Sequence, residues 1–471
     1  AAEDRATPSG VAAPRDGTAD GAAKPEWLER LQGSLANVII EQLIGAESDP
    51  ADGDALAEPA EVTEGDGGAQ SGAIRTRFRL PAPAADPAPV HRCDRLAGSS
   101  SDPYAVVDGN AIGEIRAAEA VPACQEAVHG FPDEIRFAFQ LGRAFYAADR
   151  FQEAAQWFGS AAESGHAGAM NNLGTMYRAG RGVREDPAEA FAWFSRSADA
   201  GAPQGVANLG WLYREGIGVP RDDVQAVKWF RQAANMGQPF AMRMLGQHYA
   251  VGRGVETDYR EAARWYRQAA RLGNAGAMSD LAWAYLEGIG LPQNAAEAAR
   301  WYRAAADLGL TSARSMLASL TLKGRGVPQD EALAARLYLE AAEAGDVEAM
   351  VAVGVLYLEG RGVEPDAVVA AGWVQRAAEA GSIDAMTQLA LLLDSGRGLA
   401  ADPTAAADWL YRALRGGGHR AYSALESGYG SAAMRAALTS HLKTAGFLED
   451  GTADLAPALK ALRRAMLQSR Q

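Results

Sequence analysis

Apolar residues recur along this chain at the spacing of one helix face, and the whole pattern returns every 36 residues. After Ala169, apolar side chains at Met170, Leu173 and Tyr177 mark a first helix, because residues three, four and seven positions apart share one face. The same spacing around Trp193 marks a second helix. The pattern therefore predicts a pair of helices as the repeating unit of the chain.

Three columns of residues keep this register over seven copies. A small residue, first Gly174, occupies the middle of every first helix. The tryptophan column consists of Trp193, Trp229, Trp265, Trp301, Trp373 and Trp409, with Leu337 in the remaining copy. A Gly-x-Gly pair, first Gly180 and Gly182, ends each first helix, because glycine accepts positive φ angles at little cost. One helix pair cannot bury its apolar face alone, so the columns predict a stacked array.

The run LGTMYRAGRGVREDPAEAFAWFSRSADAG, which starts at Leu173, resembles the Sel-one-like repeat, a relative of the tetratricopeptide repeat. The resemblance covers residues 167–418 in seven 36-residue repeats. It implies an all-α fold, a right-handed α-solenoid (superhelix) of antiparallel helix pairs in which the first helix of each pair lines the concave surface. It also implies an adaptor or scaffold, and many bacterial members of the family are exported.

The segments that flank the array continue its pattern in shortened form. Residues 91–166 are expected to form a tetratricopeptide-like N-terminal cap, in which Trp157 and Gly165 keep the register. Its turn is four residues shorter, since Gly142 lies 32 residues before Gly174. Residues 419–471 are expected to form C-terminal capping helices that begin with a half-repeat. Its first-helix columns hold Ala421, Tyr422, Leu425 and Tyr429.

Residues 1–25 and the acidic linker 46–90 are rich in Ala, Gly, Pro, Asp and Glu, and we expect both to be disordered. Between them, residues 26–45 are predicted to form an amphipathic helix. Its apolar stripe consists of Trp27, Leu28, Leu31, Leu35, Val38, Ile39 and Leu43. Such a stripe is expected to dock on this chain or a copy of it, or on a partner protein. A membrane surface is disfavoured, because the helix lacks a Lys/Arg-rich face.

Charge and composition narrow the function classes. The formal net charge is −14, and residues 1–90 carry −9 of it, with 16 acids and 7 bases. The remainder is close to neutral and has no basic stripe, which argues against binding to nucleic acid. No run of 18 apolar residues occurs, so no transmembrane segment is predicted.

Cys93 and Cys124 are the two cysteines of the chain. An even pair is compatible with one disulfide in an oxidising compartment, and buried free thiols are the alternative. We expect the disulfide to staple the N-terminal entry to the cap. The chain starts AAEDRATPSG without Met, as after removal of a signal peptide or after other trimming. The expected location is therefore the periplasm, with the cytoplasm as the alternative.

Motifs for catalysis, cofactors or metals do not stand out. The chain has no GxxxxGK[ST], HExxH or CxxC, and its six histidines share no repeat column. Each Gly-x-Gly pair follows a helix, whereas a dinucleotide-binding loop follows a strand. The tryptophan column matches the helix-pair core, so we interpret it as packing. We expect a protein that is not an enzyme and needs no cofactor.

The candidate binding surface is the open face of the first helices, which holds Asn171, Thr175 and Arg178 in the first copy. Exposed Trp and Arg are frequent anchors of binding surfaces. We expect a groove centred on repeats one to four, lined by Asn171, Thr175, Arg178, Trp211, Arg214, Arg243, Gln247, Trp283 and Glu287. Packing of Trp211 and Trp283 between neighbouring repeats is the alternative.

The predicted function is that of a scaffold or adaptor in the bacterial cell envelope, which binds a protein or peptide in this groove. One alternative is a peptidoglycan-associated protein, because the last 40 residues are weakly similar to a small helical peptidoglycan-binding domain. That family's turn has the form GxxDGxxGP, whereas this chain reads FLEDGTADLAP and lacks the later glycine. Another alternative is a periplasmic regulator of a membrane signalling or secretion complex, which docks through the N-terminal helix.

Overall fold

The computed structural model describes residues 89–448, apart from 100, 101, 103, 108 and 109, together with residues 455–468. The described part contains 21 α-helices and one short 3-10 helix, and no strand. The predicted segments 1–25 and 26–45, and all but the last two residues of 46–90, lie outside it.

The helices follow one another as the repeat pattern predicts. The N-terminal unit contains α1 (Arg92–Ala97), the 3-10 helix (Ile112–Glu114), α2 (Ala117–Gly130), α3 (Ile135–Ala147) and α4 (Phe151–Glu163). The first helices of the seven repeats are α5 (Ala167–Ala179), α7 (Pro203–Glu215), α9 (Pro239–Val251), α11 (Ala275–Glu287), α13 (Thr311–Lys323), α15 (Val347–Glu359) and α17 (Ile383–Ser395). The second helices are α6 (Pro187–Asp199), α8 (Asp223–Asn235), α10 (Tyr259–Arg271), α12 (Ala295–Asp307), α14 (Glu331–Glu343), α16 (Ala367–Glu379) and α18 (Pro403–Arg415). The C-terminal helices are α19 (His419–Glu426), α20 (Ala432–Thr444) and α21 (Leu455–Gln468).

Each first helix packs on its own second helix, and each second helix packs on the next first helix. In the first repeats, an aromatic ring of the second helix packs on the small residue of the first helix. A Cβ atom added at Gly174 would lie 2.9 Å from the ring of Phe194, and one at Gly210 would lie 2.7 Å from that of Phe230. The small-residue column therefore allows two helices to approach face to face.

The two glycines of each Gly-x-Gly pair have different structural roles. Gly216 ends α7 with a φ of 72°, in the left-handed region that favours glycine. Gly218 also has a positive φ, but a Cβ atom there would lie 2.2 Å from the carbonyl oxygen of Pro187, the first residue of α6. The second glycine therefore lies against the backbone of the preceding repeat. The sequence predicted the turn but not this contact.

In each of the seven repeats, a short polar side chain caps the N-terminus of the second helix. Asp186 accepts hydrogen bonds from the backbone N–H groups of Ala188 and Glu189, which satisfies donors that a helix start leaves open. The same position is filled by Asp222, Asp258, Asn294, Asp330, Asp366 and Asp402. All fourteen repeat helices have 13 residues, so equivalent positions recur at the same place in every repeat.

The structure contains the expected disulfide between Cys93 of α1 and Cys124 of α2, and both residues are fully buried. In α2 the buried residues Ala120, Val121, Cys124 and Ala127 have the same spacing as Ala154, Ala155, Phe158 and Ala161 in α4. Cys124 thus corresponds to Phe158, the ring that packs on Gly142 in the next unit. We interpret α1 and α2 as a degenerate helix pair in which a covalent bond replaces the contact between ring and glycine.

Polar side chains of α3 hold the entry segment in place. Arg136 Nε lies 3.1 Å from Asp94 Oδ1, and Gln140 Nε2 donates to the same oxygen at 3.0 Å. The buried Arg143 donates to the carbonyl oxygens of Ala97 and Asn110. Through these contacts the segment forms a cap over the first unit.

The C-terminal helices close the other end of the array. Ala421, Tyr422 and Leu425 are buried with Leu410 of α18, as the half-repeat predicted. α20 packs on α18, and α21 adds Leu455, Leu459 and Leu462 to the same core. Tyr429 lies outside α19 and is exposed. Its predicted place in a first-helix column is wrong, because the helix ends at Glu426, before Gly428 and Gly430, which both have positive φ.

The two helix layers differ in spacing. Neighbouring first helices α5 and α7, and α7 and α9, contact each other directly, whereas no described pair of neighbouring second helices of the repeats approaches as closely. In the first three repeats the first helices therefore pack more closely on one another than the second helices do. We call the side of the first helices that the sequence predicts to line the groove the inner face. Among the described helices, none combines the length and the apolar character needed to cross a bilayer.

Candidate functional site

One residue per repeat, at the position of Thr175, lies at the middle of the inner face. We call this set the groove column: Thr175, Trp211, Gln247, Trp283, Ser319, Val355 and Leu391. All seven side chains are half-buried. The side chains of this column vary from repeat to repeat, whereas the helices that carry them have the same length.

The two tryptophans of the groove column pack against the core and also remain partly exposed at the surface. Trp211 packs against two core clusters, one around Phe194 and the other around Phe230. Trp283 packs against the cluster around Tyr302. Each indole is held between neighbouring repeats and keeps part of its surface accessible, so packing has already fixed its orientation.

Arg178 and Arg214 occupy equivalent positions one turn after the groove column. The Arg178 guanidinium lies 4.8 Å from the ring centroid of Trp211, a favourable cation–π distance. Arg214 Nε lies 3.0 Å from Glu215 Oε1, and its Nη1 contacts the sulfur of Met244 at 3.1 Å. The structure therefore brings three of the predicted binding residues, Arg178, Trp211 and Arg214, into one region of the inner face.

Arg243 and Gln247 are engaged inside the protein. Arg243 Nε lies 2.8 Å from Asp280 Oδ2, and Gln247 Nε2 lies 3.4 Å from the same oxygen. Both members of the ion pair are largely buried. A Cβ atom at Gly276 would lie 2.5 Å from the guanidinium, so the missing side chain makes room for it. Sequence reasoning missed Asp280, because its column carries no common chemistry.

Two asparagines link the first two repeats. Asn208 Nδ2 donates to Asn171 Oδ1 at 2.8 Å, and Thr175 Oγ1 donates to the carbonyl oxygen of Asn171 at 3.1 Å. Both amides stay half-buried. They can therefore donate and accept hydrogen bonds at the surface of the groove.

Glu287 is the last residue of α11, one turn after Trp283 of the groove column. Its Oε1 is 3.8 Å from Arg325 Nη1, and Arg325 also donates to the carbonyl oxygen of Leu286 at 3.0 Å. Arg397 makes the same bond to the carbonyl oxygen of Leu358. Glu287 is thus part of a link between two neighbouring repeats.

Tyrosines of the second helices reach between the first helices. Tyr266 and Tyr302 pack at the small-residue column, and burial together with the charge of Asp280 raises the pKa of both. Burial also raises the pKa of Tyr338 to about 12, although a hydrogen bond with Ser319 of the groove column opposes the shift. These buried tyrosines therefore contribute polar hydroxyl groups that carry no charge near neutral pH.

The last repeats present a different surface. The groove column is aliphatic there, with Val355 and Leu391, and Leu358 lies beside it. Burial raises the pKa of Glu348, and the carboxylates of Asp384 and Asp346 raise it further, whereas the charge of Arg420 lowers it.

Residues 89–448 and 455–468, as far as described, contain no group of three or more His, Cys, Asp or Glu residues placed to hold a metal ion.

The chain matches the sequence model of the Sel1 repeat family eight times, at residues 138–166, 167–201, 203–238, 239–274, 275–310, 311–346, 347–382 and 383–418. The match includes α3 and α4 as the first repeat, so the unit that resembles a tetratricopeptide repeat is counted with the other seven. No curated protein matches the chain at a significant level.

Several solved structures are similar. A Sel1 repeat protein from Oxalobacter formigenes is 37% identical over 51% of this chain and 98% of its own, with a TM-score of 0.49. The protective antigen c5321 of uropathogenic Escherichia coli, described as displaying an SLR fold, is 25% identical over 74% of this chain and 90% of its own, with a TM-score of 0.42. The immunity protein Pa5087 from Pseudomonas aeruginosa is 25% identical over 42% and 81%, with a TM-score of 0.32.

Proposed function

Because this chain belongs to the Sel1 repeat family, we propose that it is a non-enzymatic scaffold that binds a protein or peptide partner on the inner face of its repeats. The observation that carries the proposal is the region around Trp211. An indole held between two core clusters carries the Arg178 guanidinium on its face and lies in the same row as Trp283. Rigid aromatic and arginine side chains of this kind are typical binding anchors.

We propose further that the partner belongs to the bacterial cell envelope. The buried disulfide between Cys93 and Cys124 supports an oxidising compartment such as the periplasm. Labelling free thiols in fractionated cells, before and after reduction, tests this location. Modification before reduction, in protein from the native compartment, would contradict it.

The test of the groove is a crosslinking pull-down with the full chain from its native compartment. We would compare the unmodified protein with the variant Trp211→Ala/Trp283→Ala. The matched control is Tyr259→Ala/Leu272→Ala, which removes two exposed apolar side chains from α10 and its end, outside the groove. Circular dichroism would show that all three proteins keep their helices.

A partner that is captured by the unmodified protein and the control, and lost by the groove variant, supports the proposal. Equal capture by all three proteins would mean that the partner binds another surface.

A further inference from the structure

Bases recur at two positions of the second helices in three consecutive repeats. The sixth residue of α8, α10 and α12 is a base, and so is the ninth. These six residues are Lys228, Arg264, Arg300, Arg231, Arg267 and Arg303. The two bases of each helix lie on one side of it, because residues three positions apart are neighbours on a helix surface. We call the side of α8, α10 and α12 that carries these bases the basic face.

The basic face is confined to these repeats. At the same two positions α6 holds an alanine and a serine, and α16 holds a glycine and a glutamine. In α10, Arg260 and Arg271 extend the face by one turn at each end. The bases of one column are 36 residues apart, so they form no basic run in the sequence. Only the stacking of the helix pairs brings them to one side of the protein.

Six of the eight bases on α8, α10 and α12 have no carboxylate partner in the part of the chain that the structure describes. Arg231 and Arg267 each donate a hydrogen bond to a tyrosine hydroxyl, which carries no charge. The side chains of the other four make no ion pair or hydrogen bond with a described residue: Lys228, Arg260, Arg271 and Arg303. Arg264 and Arg300 pair with the glutamate three residues earlier, and both remain mostly exposed.

The acids of the same helices do not offset this charge. Three of the four already form ion pairs, two with Arg264 and Arg300 and one with Arg221. The fourth, Asp307, is the last residue of α12. The cap carboxylates that precede α8 and α10 accept hydrogen bonds from backbone N–H groups. The basic face therefore keeps a positive potential, which attracts a segment of opposite charge.

The chain itself contains a segment of matching charge. Residues 54–66 hold five acids and no base: Asp54, Glu58, Glu61, Glu64 and Asp66. They lie outside the described residues and are joined to residue 89 by the 22 residues 67–88. The carbonyl oxygen of Pro89 lies 3.5 Å from Arg136 Nη2, so this tether ends at α3.

The tether is long enough to bring the acidic segment to the basic face. Each helix from α3 to α8 packs on the next, so five packing steps of about 8–10 Å separate α3 from α8, roughly 50 Å at most. An extended chain of 22 residues reaches roughly 70 Å at about 3.3 Å per residue. A covalent tether also keeps the segment at an effective concentration on the order of millimolar. An anionic partner from outside the chain has no such advantage.

We propose that residues 54–66 dock on the basic face of the same chain, with their carboxylates against Lys228, Arg260, Arg271 and Arg303. The contact consists of exposed charge pairs, so salt weakens it. The docked segment shields the face from other anionic partners until salt or a stronger anion displaces it. This proposal concerns the second helices and does not depend on the groove of the first helices.

The test is zero-length carbodiimide crosslinking of the full chain, which joins a carboxylate to a lysine amine that it contacts. Lys228 is the one lysine of the basic face, and Lys460 is an exposed lysine of α21. Carboxylates of residues 54–66 should be joined to Lys228 at least about fivefold more often than to Lys460 at low salt. Mass spectrometry would measure both yields. The preference should disappear in 1 M NaCl, where the screening length is about 3 Å.

Two variants with the same net charge test the role of the face. Arg260→Gln/Arg271→Gln/Arg303→Gln keeps the reporting lysine and should lower its crosslink yield at least about threefold. The control Arg184→Gln/Arg415→Gln/Arg464→Gln removes three exposed arginines from other parts of the chain and should leave the yield unchanged. Circular dichroism would show that both variants keep their helices.

Equal crosslinking to Lys228 and Lys460, or equal losses in the two variants, would overturn the proposal. A mixture of isotopically labelled and unlabelled protein separates crosslinks within one chain from those between two chains. Crosslinks only between chains would assign the face to a second copy, contrary to the proposal. No crosslink to Lys228 in a protein that binds an added oligonucleotide through the same arginines would assign the face to nucleic acid and would also overturn it.

Discussion

The guanidinium of Arg243 and the carboxylate of Asp280 form an ion pair of 2.8 Å between the first helices of two neighbouring repeats. The side chains are 12% and 9% exposed, so the pair replaces water as the solvating environment of both charges. Removal of one partner would leave the other charge buried without a counter-charge. The loss of folding free energy would then exceed the net contribution of the intact pair to stability.

The first prediction therefore concerns this pair. Arg243→Met should destabilise the array by about 3 kcal/mol, and Arg243→Met/Asp280→Leu should recover most of the loss, because it removes both charges. Urea unfolding followed by circular dichroism would measure the change. Arg300→Met is the control, since Arg300 pairs with Glu297 at the surface and should matter little. A double variant as unstable as the single one would contradict the account.

The second prediction separates the two reasons for a glycine. Gly218 and Gly237 both have positive φ, but only Gly218 faces a backbone atom, the carbonyl oxygen of Pro187. Gly237→Ala should cost about 1 kcal/mol from the left-handed backbone alone. Gly218→Ala should cost at least about 1 kcal/mol more, because the two repeats must move apart. Thermal unfolding of the two variants would decide, and equal losses would rule out the contact between repeats.

A third prediction concerns the disulfide. Cys93→Ala/Cys124→Ala should lower stability by about 2–4 kcal/mol, as expected when a loop of 31 residues loses its closure. Reductant should lower the unfolding midpoint of the unmodified protein towards that of the variant, whose own midpoint should not respond. If reductant leaves the unmodified protein unchanged, although thiol labelling shows reduction, the bond does not stabilise the cap.

The fourth prediction is a pH dependence from His248. Burial lowers the pKa of this histidine below its usual value, although its Nδ1 lies 2.9 Å from the carbonyl oxygen of Arg253. The unfolded chain therefore binds the proton more tightly than the folded one, so stability falls as the pH decreases below about 6.5.

The measurement is the unfolding midpoint between pH 7.5 and pH 5. His248→Gln should reduce the slope in this range, whereas His419→Gln, at an exposed position, should leave it unchanged. An identical slope in the His248 variant would show that other groups cause the acid sensitivity.

Most of the fold could be predicted from the sequence, because the interactions that define it repeat at one period. The positions of Gly174 and Phe194 hold a small residue and an apolar or aromatic side chain in every copy. The spacing of apolar residues shows which face of each helix is buried. Because one helix pair cannot cover its own apolar face, the neighbouring pair must pack against it. The same reasoning failed at Tyr429, where two nearby glycines end the helix before the column does.

The sequence predicted a row of positions for the groove, but it did not predict which of their side chains pair with other residues of the protein. Arg243 and Gln247 were expected to contact a ligand, and the structure pairs them with Asp280, 37 and 33 residues away. Side chains in different columns meet here, so the repeat period contains no information about the pair. The space above Gly276 decides where the guanidinium lies.

The sequence by itself determined the array, namely the helix pairs and the glycine turns that end the first helices, because each depends on the residue type at a fixed position of the period. Only the tertiary structure decided which side chains of the inner face pair with one another, as Arg243 does with Asp280. The physical reason is that packing between repeats depends on the lengths and shapes of unlike neighbours, and these vary from repeat to repeat without changing the fold.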